Sequence, residues 1–145
     1  MLETMIEIIR KNDLCVLATV SEGAPHCSLM SYVSDETGHE IYLVSHRETK
    51  KYLNLMQNPS VSLLIDNREE KRGQARAVIQ ALTVKGEFHA ITKPREKEAI
   101  RIRFQKQHPH LMGFLNDPES EIFSIKIKSL QLLDGVTDIS FETID

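Results

Sequence analysis

The chain has 145 residues, of which 41% are hydrophobic and 27% charged, a composition typical of a globular protein with one hydrophobic core. The formal net charge of −3 argues against nucleic-acid binding through bulk electrostatics, and no apolar run is long enough to span a membrane. The charged first residues lack the apolar run of a signal peptide, so we expect a single cytoplasmic domain over residues 1–145.

The first half of the chain predicts one helix and then a meander of short strands. Apolar residues at helical spacing indicate an amphipathic helix over residues 2–12. Three strand-like runs follow, separated by turns that contain Gly: LCVLATV, HCSLMSYVS and IYLVS. Helical spacing then returns and stops at Asn58-Pro59. This short helix has two candidate N-caps, either Ser45 in a capping box with Glu48 or Thr49.

The second half predicts longer strands around one further helix. A fourth strand is VSLLID, followed by the charged loop NREEKRGQA and by one long strand, ARAVIQALTVKGEFHAI, in which Gly86 is a candidate bulge. Pro94 begins a helix over residues 94–107, and an irregular segment follows it. Alternation in IFSIKIKSLQLLD indicates a half-buried strand, and a turn leads to the last strand. Six or seven strands joined mainly by hairpins favour a β-rich α+β domain with a closed antiparallel sheet.

The two cysteines do not indicate a disulfide scaffold. Cys15 and Cys27 lie in neighbouring strand-like runs. A hairpin that turns within residues 21–25 would place Cys15 opposite a position near Met30 rather than opposite Cys27. We therefore expect two buried and reduced thiols.

The segment that leads into the second helix is a candidate anion site. Ser45 and Thr49 offer hydroxyl donors, while Lys50 and Lys51 place two positive charges in the first helical turn. Cations at this end oppose the helix dipole, whereas a phosphate is attracted by the free N–H groups there. The alternative is that both lysines are solvated surface charges without a ligand.

Other common site motifs are missing from the sequence. It contains no HExxH, paired CxxC, GxSxG, GxGxxG or GxxxxGK[ST] pattern. Of the six histidines, only His108 and His110 are close together in sequence. We therefore expect no metal site, and the sequence identifies no catalytic residue.

The order of these elements resembles the pyridoxamine 5′-phosphate oxidase-like family of FMN-binding split-barrel proteins. The resemblance rests on LATVSEGAPHCSLMSYV, IYLVSHRETKKYLNLMQNPSVSLLI and ALTVKGEFHAI, which follow the family's order, and on IFSIKIKSLQLLDG, which resembles its closing strand. It implies a six-stranded antiparallel split β-barrel with short flanking helices. It also implies a homodimer with flavin at the dimer interface.

The resemblance further implies roles for eight residues when the chain is aligned on Asn58-Pro59. In the family, hydroxyl and cationic side chains at the start of this helix hold the FMN phosphate, and the second strand lies along the flavin ring. The matching residues are Ser45, Thr49, Lys50 and Lys51 for the phosphate, and Ser28, Leu29, Met30 and Gln80 for the ring.

Some positions differ from the family pattern. Ser28 stands where an Arg often contacts the phosphate, and Lys50 replaces another Arg. The chain has no Trp and ends in FETID, whereas the family's true oxidases have basic and aromatic residues for pyridoxamine phosphate near the C-terminus. We therefore expect an FMN-dependent oxidoreductase that acts on a different small molecule.

Two alternatives stay open at this point. Some split-barrel proteins of this kind bind or degrade haem through a histidine ligand, and His108 and His110 are the candidates here. The other alternative is a flavin-binding or empty module that senses or stores a ligand without catalysis. The sequence does not decide whether the cofactor is FMN, haem, a deazaflavin or absent.

Overall fold

The structure, a computed structural model, describes residues 1–144 and contains four α-helices and eight strands. Two 3-10 turns, Arg76–Val78 and Pro109–Leu111, add to these elements. Within the described residues no helix is long and apolar enough to cross a membrane. The elements in chain order are α1 Leu2–Lys11, β1 Leu14–Ser21, β2 Ala24–Ser31, β3 Val33–Ser34, β4 Glu40–His46, α2 Lys50–Gln57, β5 Ser60–Asp66, β6 Gln80–Ala90, α3 Pro94–Gln107, α4 Met112–Leu115, β7 Ser120–Asp134 and β8 Asp138–Thr143.

All strands belong to one antiparallel sheet. Its order is β2-β1-β5-β6-β7-β4-β3, with β8 paired to β7. The sheet curls until β2 and β4 approach each other and line a shared pocket. This arrangement confirms the antiparallel split barrel. The structure has eight strands where the pattern predicted six or seven and the resemblance six, and one additional strand arises because the second predicted strand is divided at Tyr32 into β2 and the two-residue β3.

Apolar residues pack against both faces of β4. Ile41 and Leu43 belong to the main core inside the barrel, whereas Tyr42 and Val44 belong to a second cluster under α3. A strand covered on both faces is buried at successive positions, as β4 is from Ile41 to Ser45. This double packing fixes the end of β4, from which the candidate anion site continues.

The long strand predicted over residues 75–91 begins earlier than the observed strand does. Residues Arg76–Val78 form a 3-10 turn, and β6 begins only at Gln80. The turn is held from outside the segment, because the Arg76 guanidinium donates to the Gly135 carbonyl at 2.8 Å. Such a distant contact has no signal in the local pattern. The segment after α3, predicted to be irregular, contains a second 3-10 turn and α4.

The prediction for the cysteines is half right. Cys15 lies opposite Met30, as expected, and burial raises the pKa of its thiol to about 12. Cys27 is exposed, which corrects the expectation of two buried thiols. The reason is that Cys27 pairs with Ala18 on the face of the sheet that points away from the barrel interior. Both thiols are unpaired.

Gly86 occupies the bulge predicted for it, because the register of β6 against β7 shifts between Lys85 and Gly86. A Cβ at this position would lie 2.6 Å from the Lys126 carbonyl oxygen and 2.7 Å from Ile125 Cγ2. We expect Gly86→Ala to lower the free energy of unfolding by about 1–3 kcal/mol, the usual cost of overpacking. Urea unfolding measures this, with Gly113→Ala as the control, since a Cβ on Gly113 meets nothing within 4 Å. Equal effects of the two substitutions would contradict the steric account.

Candidate functional site

The N-terminus of α2 brings the two predicted hydroxyl groups together. Thr49 is the N-cap, and its Oγ1 accepts a hydrogen bond from Tyr52 N at 3.4 Å. Ser45 Oγ lies 2.8 Å from Thr49 Oγ1, and both hydroxyls reach the His46 carbonyl oxygen at 3.0 Å. Thr49 is therefore the cap, whereas Ser45 supports it from the buried end of β4.

The inner face of α2 fixes this N-terminus on the barrel. Leu55 is 2% exposed and packs in the main core. The amide of Asn54, also buried, donates to Thr19 Oγ1 on β1 at 3.1 Å. The chain leaves the helix at Asn58-Pro59, as the sequence predicts, because proline cannot continue the helical hydrogen bonds. The first turn of α2 is thus held in one position relative to β1.

A pocket of about 210 Å³ lies beside the first turn of α2. Its walls come from β2, β4, α2 and the segment after α3. The lining residues are Leu29, Met30, Ser31, Val44, Lys51, Leu111 and Phe114. The structure therefore brings three of the eight predicted residues into one pocket: Leu29, Met30 and Lys51.

Lys51 is a cation without a carboxylate partner. It is half-buried, and no carboxylate of residues 1–144 lies within 4.0 Å of its ammonium group. Burial lowers the pKa of Lys51 because it disfavours the charged form. The neighbouring cations differ, since Arg47 and Lys97 each contact a Glu121 oxygen at 2.9 Å. The ammonium of Lys51 is the free positive charge that lines this pocket.

Five predicted residues lie outside the pocket lining: Ser45 and Thr49 at the N-terminus of α2, and Ser28, Lys50 and Gln80. Lys50 is exposed at the start of α2, and Ser28 lies one residue before Leu29 on β2. Gln80 lies on β6, where its side chain forms hydrogen bonds with Asn67 at 3.4 Å and with Asp134 at 3.3 Å. Lys50 and Ser28 are thus neighbours of lining residues in the chain, whereas Gln80 is engaged elsewhere in the same protomer.

The wall of the pocket formed after α3 was not predicted from the sequence. Phe114 lines the pocket, and its ring stacks on His46 with centroids 4.4 Å apart and an interplanar angle of 16°. His46 Nε2 is 3.2 Å from Asp117 Oδ2, although the groups are not aligned for a hydrogen bond. The apolar residues of HLMGFL indicate that this segment has a buried side, but they do not indicate which part of the protein it contacts.

The two histidines named from the sequence have different environments. His108 is 3% exposed, and its Nε2 lies 3.0 Å from the Tyr32 carbonyl oxygen. His110 is exposed and precedes Leu111, which lines the pocket. Among residues 1–144, no group of three or more His, Cys, Asp and Glu side chains is placed to hold a metal ion.

The combined arrangement suits a flat apolar group that has a negatively charged end. Within residues 1–144 the edge strand β2 pairs with β1 alone, so its other edge presents backbone N–H and C=O groups beside the apolar side chains of Leu29 and Met30. Lys51 and the N–H groups of the first α2 turn supply the positive end. Ligand pockets commonly combine apolar walls with a few fixed polar groups in this way.

Comparison with known proteins agrees with this reading of the fold. The family model described as pyridoxamine 5′-phosphate oxidase matches residues 1–134. No curated protein sequence matches the chain.

Solved structures with the same fold include proteins described with different ligands. A haem binding protein from Mycobacterium smegmatis is 17% identical with a TM-score of 0.81, over 96% of this chain and 57% of that one. A FAD-binding protein from Mesorhizobium loti is 18% identical with a TM-score of 0.72, over 90% and 91%. HutZ, a haem storage protein from Vibrio cholerae, is 16% identical with a TM-score of 0.73, over 91% and 92%. The chain thus spans little more than half of the mycobacterial protein, and these likenesses show the fold.

Proposed function

The chain belongs to the pyridoxamine 5′-phosphate oxidase family, and from this premise we propose that it is an FMN-dependent oxidoreductase that acts on a small molecule. The observation on which the proposal depends is Lys51, a half-buried and unpaired cation in the pocket beside the free edge of β2. A desolvated ammonium group without a carboxylate is stabilised by a bound phosphate. We propose that the substrate differs from pyridoxamine phosphate.

Different residues of this chain would bind the charged part and the apolar part of the cofactor. Lys51 and the first N–H groups of α2 would hold the phosphate, with Lys50 adding a more distant charge. The hydroxyl of Thr49, supported by Ser45, can rotate from the His46 carbonyl towards an anion. Leu29 and Met30, preceded by Ser28, would lie along the ring, for which the flavin itself supplies the redox chemistry.

The proposed contact of Gln80 with the flavin ring needs a second copy of the chain. Within one protomer Gln80 is on β6 and does not line the pocket that contains Lys51. A residue from the partner subunit can still complete a site that lies at a dimer interface. We therefore keep Gln80 as a proposed ring contact only across such an interface.

A homodimer is part of the same proposal. The face of the sheet that points away from the barrel is apolar and exposed where the second cluster under α3 does not cover it, and we term this exposed part the outer face: Leu29 is 73% exposed, and Ile139 and Phe141 are 60% exposed. The strand registers place these residues on one face with Val16 and Leu64. Exposed apolar patches of this kind indicate an interface. We propose a second copy of the chain as its partner.

The size of the pocket supports a shared site. Its volume of about 210 Å³ lies below the roughly 300–1,000 Å³ typical of pockets that enclose a whole ligand. Leu29 belongs both to the pocket and to the exposed outer face. A second copy packed on the outer face would therefore extend the pocket at the side where the flavin ring needs a further wall.

The absorption spectrum of the purified protein tests the cofactor assignment. We expect flavin bands, or, for protein purified without cofactor, saturable quenching of FMN fluorescence on titration. A protein that shows neither flavin bands nor quenching with added FMN would refute the proposal.

The affinity for FMN is expected to fall at both acid and alkaline pH. The FMN phosphate loses its second charge as the pH falls through about 6, which weakens binding at acid pH. Lys51 must be charged to bind phosphate, and its pKa is lowered from the ordinary value of 10.5. Affinity should therefore fall as the pH rises through a midpoint below 10.5. Titrations at constant ionic strength measure this, and an identical alkaline decline in Lys51→Ala would contradict the assignment.

Haem binding is the second candidate function. His110 is exposed and adjoins Leu111 in the pocket wall, so its imidazole is free to act as an iron ligand. His108 is less suitable, because its ring is buried and in contact with the Tyr32 carbonyl. Titration with haem distinguishes this candidate from the flavin proposal. A shift of the Soret band that is lost in His110→Ala would favour haem, whereas an unchanged band would exclude it.

A flavin-binding module without catalysis is the remaining alternative. The described residues include no group whose position identifies it as an acid or base towards the pocket. Anaerobic reduction by NADH or NADPH, followed by reoxidation with an added electron acceptor, separates the two functions. Turnover with any acceptor supports the oxidoreductase, and a bound flavin that is never reduced supports the module.

A further inference from the structure

The wall of the pocket that contains Phe114 is anchored on two sides. We term residues 109–115 the Phe114 turn. The Phe114 ring stacks on His46 at 4.4 Å, and its carbonyl accepts hydrogen bonds from Ser120 Oγ at 2.6 Å and Asp117 N at 3.2 Å. The ring is therefore tied to the end of β4, and the backbone is tied to the start of β7. A wall anchored in this way holds its position against a ligand.

The Phe114 turn also has a buried attachment beneath it. Leu115 is 7% exposed and packs in the second apolar cluster, with Phe104 of α3 and Ile122 of β7. Phe114 itself is partly buried against the same cluster. Displacement of the turn would expose this apolar surface to water and is therefore unfavourable. The position of the wall is thus set by core packing as well as by hydrogen bonds.

Phe114 lines the same small pocket as the side chain of Lys51. It shares a volume of about 210 Å³ with Lys51, which is the proposed phosphate contact. A space of this size holds a phosphate with a few neighbouring carbons, since whole ligands need roughly 300–1,000 Å³. In FAD the same phosphate carries a second phosphate and an adenosine, which must leave the pocket next to its walls. The Phe114 turn is one of these walls.

We infer that the Phe114 turn limits the ligand to a flavin mononucleotide, with Phe114 as a specificity-determining residue and His46 as the residue that positions it. This inference rests on the proposed function, because it assumes that Lys51 binds the flavin phosphate. Phe114 excludes the adenylate half of FAD by occupying the space beside that phosphate. His46 acts only through the stacked ring, since it does not itself line the pocket.

The test compares the dissociation constants of FMN and FAD for the wild type and for variants of the wall. The wild type should bind FMN at least about tenfold more tightly than FAD. In Phe114→Ala this ratio should fall about fivefold or more, mainly through tighter binding of FAD. Phe114→Leu keeps the apolar packing if the alanine variant does not fold, and should reduce the ratio in the same direction.

Variants of His46 separate positioning from folding. His46→Ala leaves the backbone carbonyl that Ser45 and Thr49 contact, but removes the stack, and should reduce the ratio as Phe114→Ala does. His46→Phe restores an aromatic stack and should restore the ratio, which a general loss of stability would not do. Met112→Ala is the control, because Met112 is 47% exposed on the same turn and does not line the pocket.

The outcomes distinguish the inference from the function on which it rests. If the wild type binds neither flavin, both are wrong. If the wild type binds FMN but the ratio of the FMN and FAD dissociation constants is the same in the Phe114 and His46 variants as in the wild type, the role of the Phe114 turn in selectivity is wrong and the proposed function stands. A change of the same size in Met112→Ala would also overturn the assignment of selectivity to Phe114.

Discussion

Lys51→Ala is expected to weaken FMN binding at least about tenfold, or about 1.4 kcal/mol, the scale of one lost charge-assisted contact. The reason is that Lys51 is the unpaired cation that lines the pocket, with its ammonium already partly removed from water. Because no ion pair within residues 1–144 is lost, the unfolding temperature of the cofactor-free protein should not fall. Fluorescence titration with FMN and thermal unfolding measure the two quantities.

Lys50→Ala is the matched control for this substitution. Lys50 has the same charge and adjoins Lys51 in the chain, but it is exposed and outside the pocket lining. Its loss should weaken FMN binding by less than Lys51→Ala, and the effect should decrease with added salt. Unchanged binding in a variant that lacks both lysines would refute the phosphate assignment.

Phe141→Glu is expected to dissociate the proposed dimer. Phe141 is 60% exposed on the outer face. A glutamate at this position is solvated in a monomer, but between two copies its carboxylate would be buried without an ion-pair partner. An increase of at least about a hundredfold in the dimer dissociation constant, or about 3 kcal/mol, is expected. Because the pocket is shared in this proposal, FMN affinity should fall with the fraction of dimer. Analytical ultracentrifugation and FMN titration over a range of protein concentrations measure both.

The control for Phe141→Glu is Ile102→Glu. Ile102 is 47% exposed on α3, which is not part of the outer face, so Ile102→Glu should change neither the dimer nor the affinity for FMN. A wild-type protein that sediments as a monomer at micromolar concentration would contradict the dimer and the shared pocket. Dimers that persist in Phe141→Glu would place the interface on another surface.

Much of the α2 region could be predicted from the sequence because its rules are local. A threonine at the N-cap, apolar residues at helical spacing and Asn58-Pro59 together define the helix within a few residues. Of the two candidate caps only the structure selects Thr49, since Ser45 is drawn into the buried end of β4. The pairing of Cys15 with Met30 was equally predictable, because a tight hairpin fixes its own register.

The remainder of the pocket could not be predicted, because it depends on contacts between distant parts of the chain. Nothing in the sequence distinguishes Phe114 and Val44 from other apolar residues. Their place in the pocket depends on the packing of the second cluster around β4. The exposure of Cys27 follows from the face of the sheet on which it lies, and which face becomes the barrel interior depends on how the whole sheet curls. The late start of β6 depends on the contact between Arg76 and Gly135.

The sequence by itself determined the family, through the resemblance of its ordered motifs. It also determined the antiparallel sheet and the position of the cationic helix start, because turn residues, periodicity and caps act over a few neighbouring residues. Only the tertiary structure separated Lys51 from Lys50, since burial and the absence of a carboxylate partner among the described residues depend on which segments pack around a side chain. It likewise decided that the Phe114 turn forms the fourth wall of the pocket. Side-chain environment is a property of long-range packing, and periodicity does not encode it.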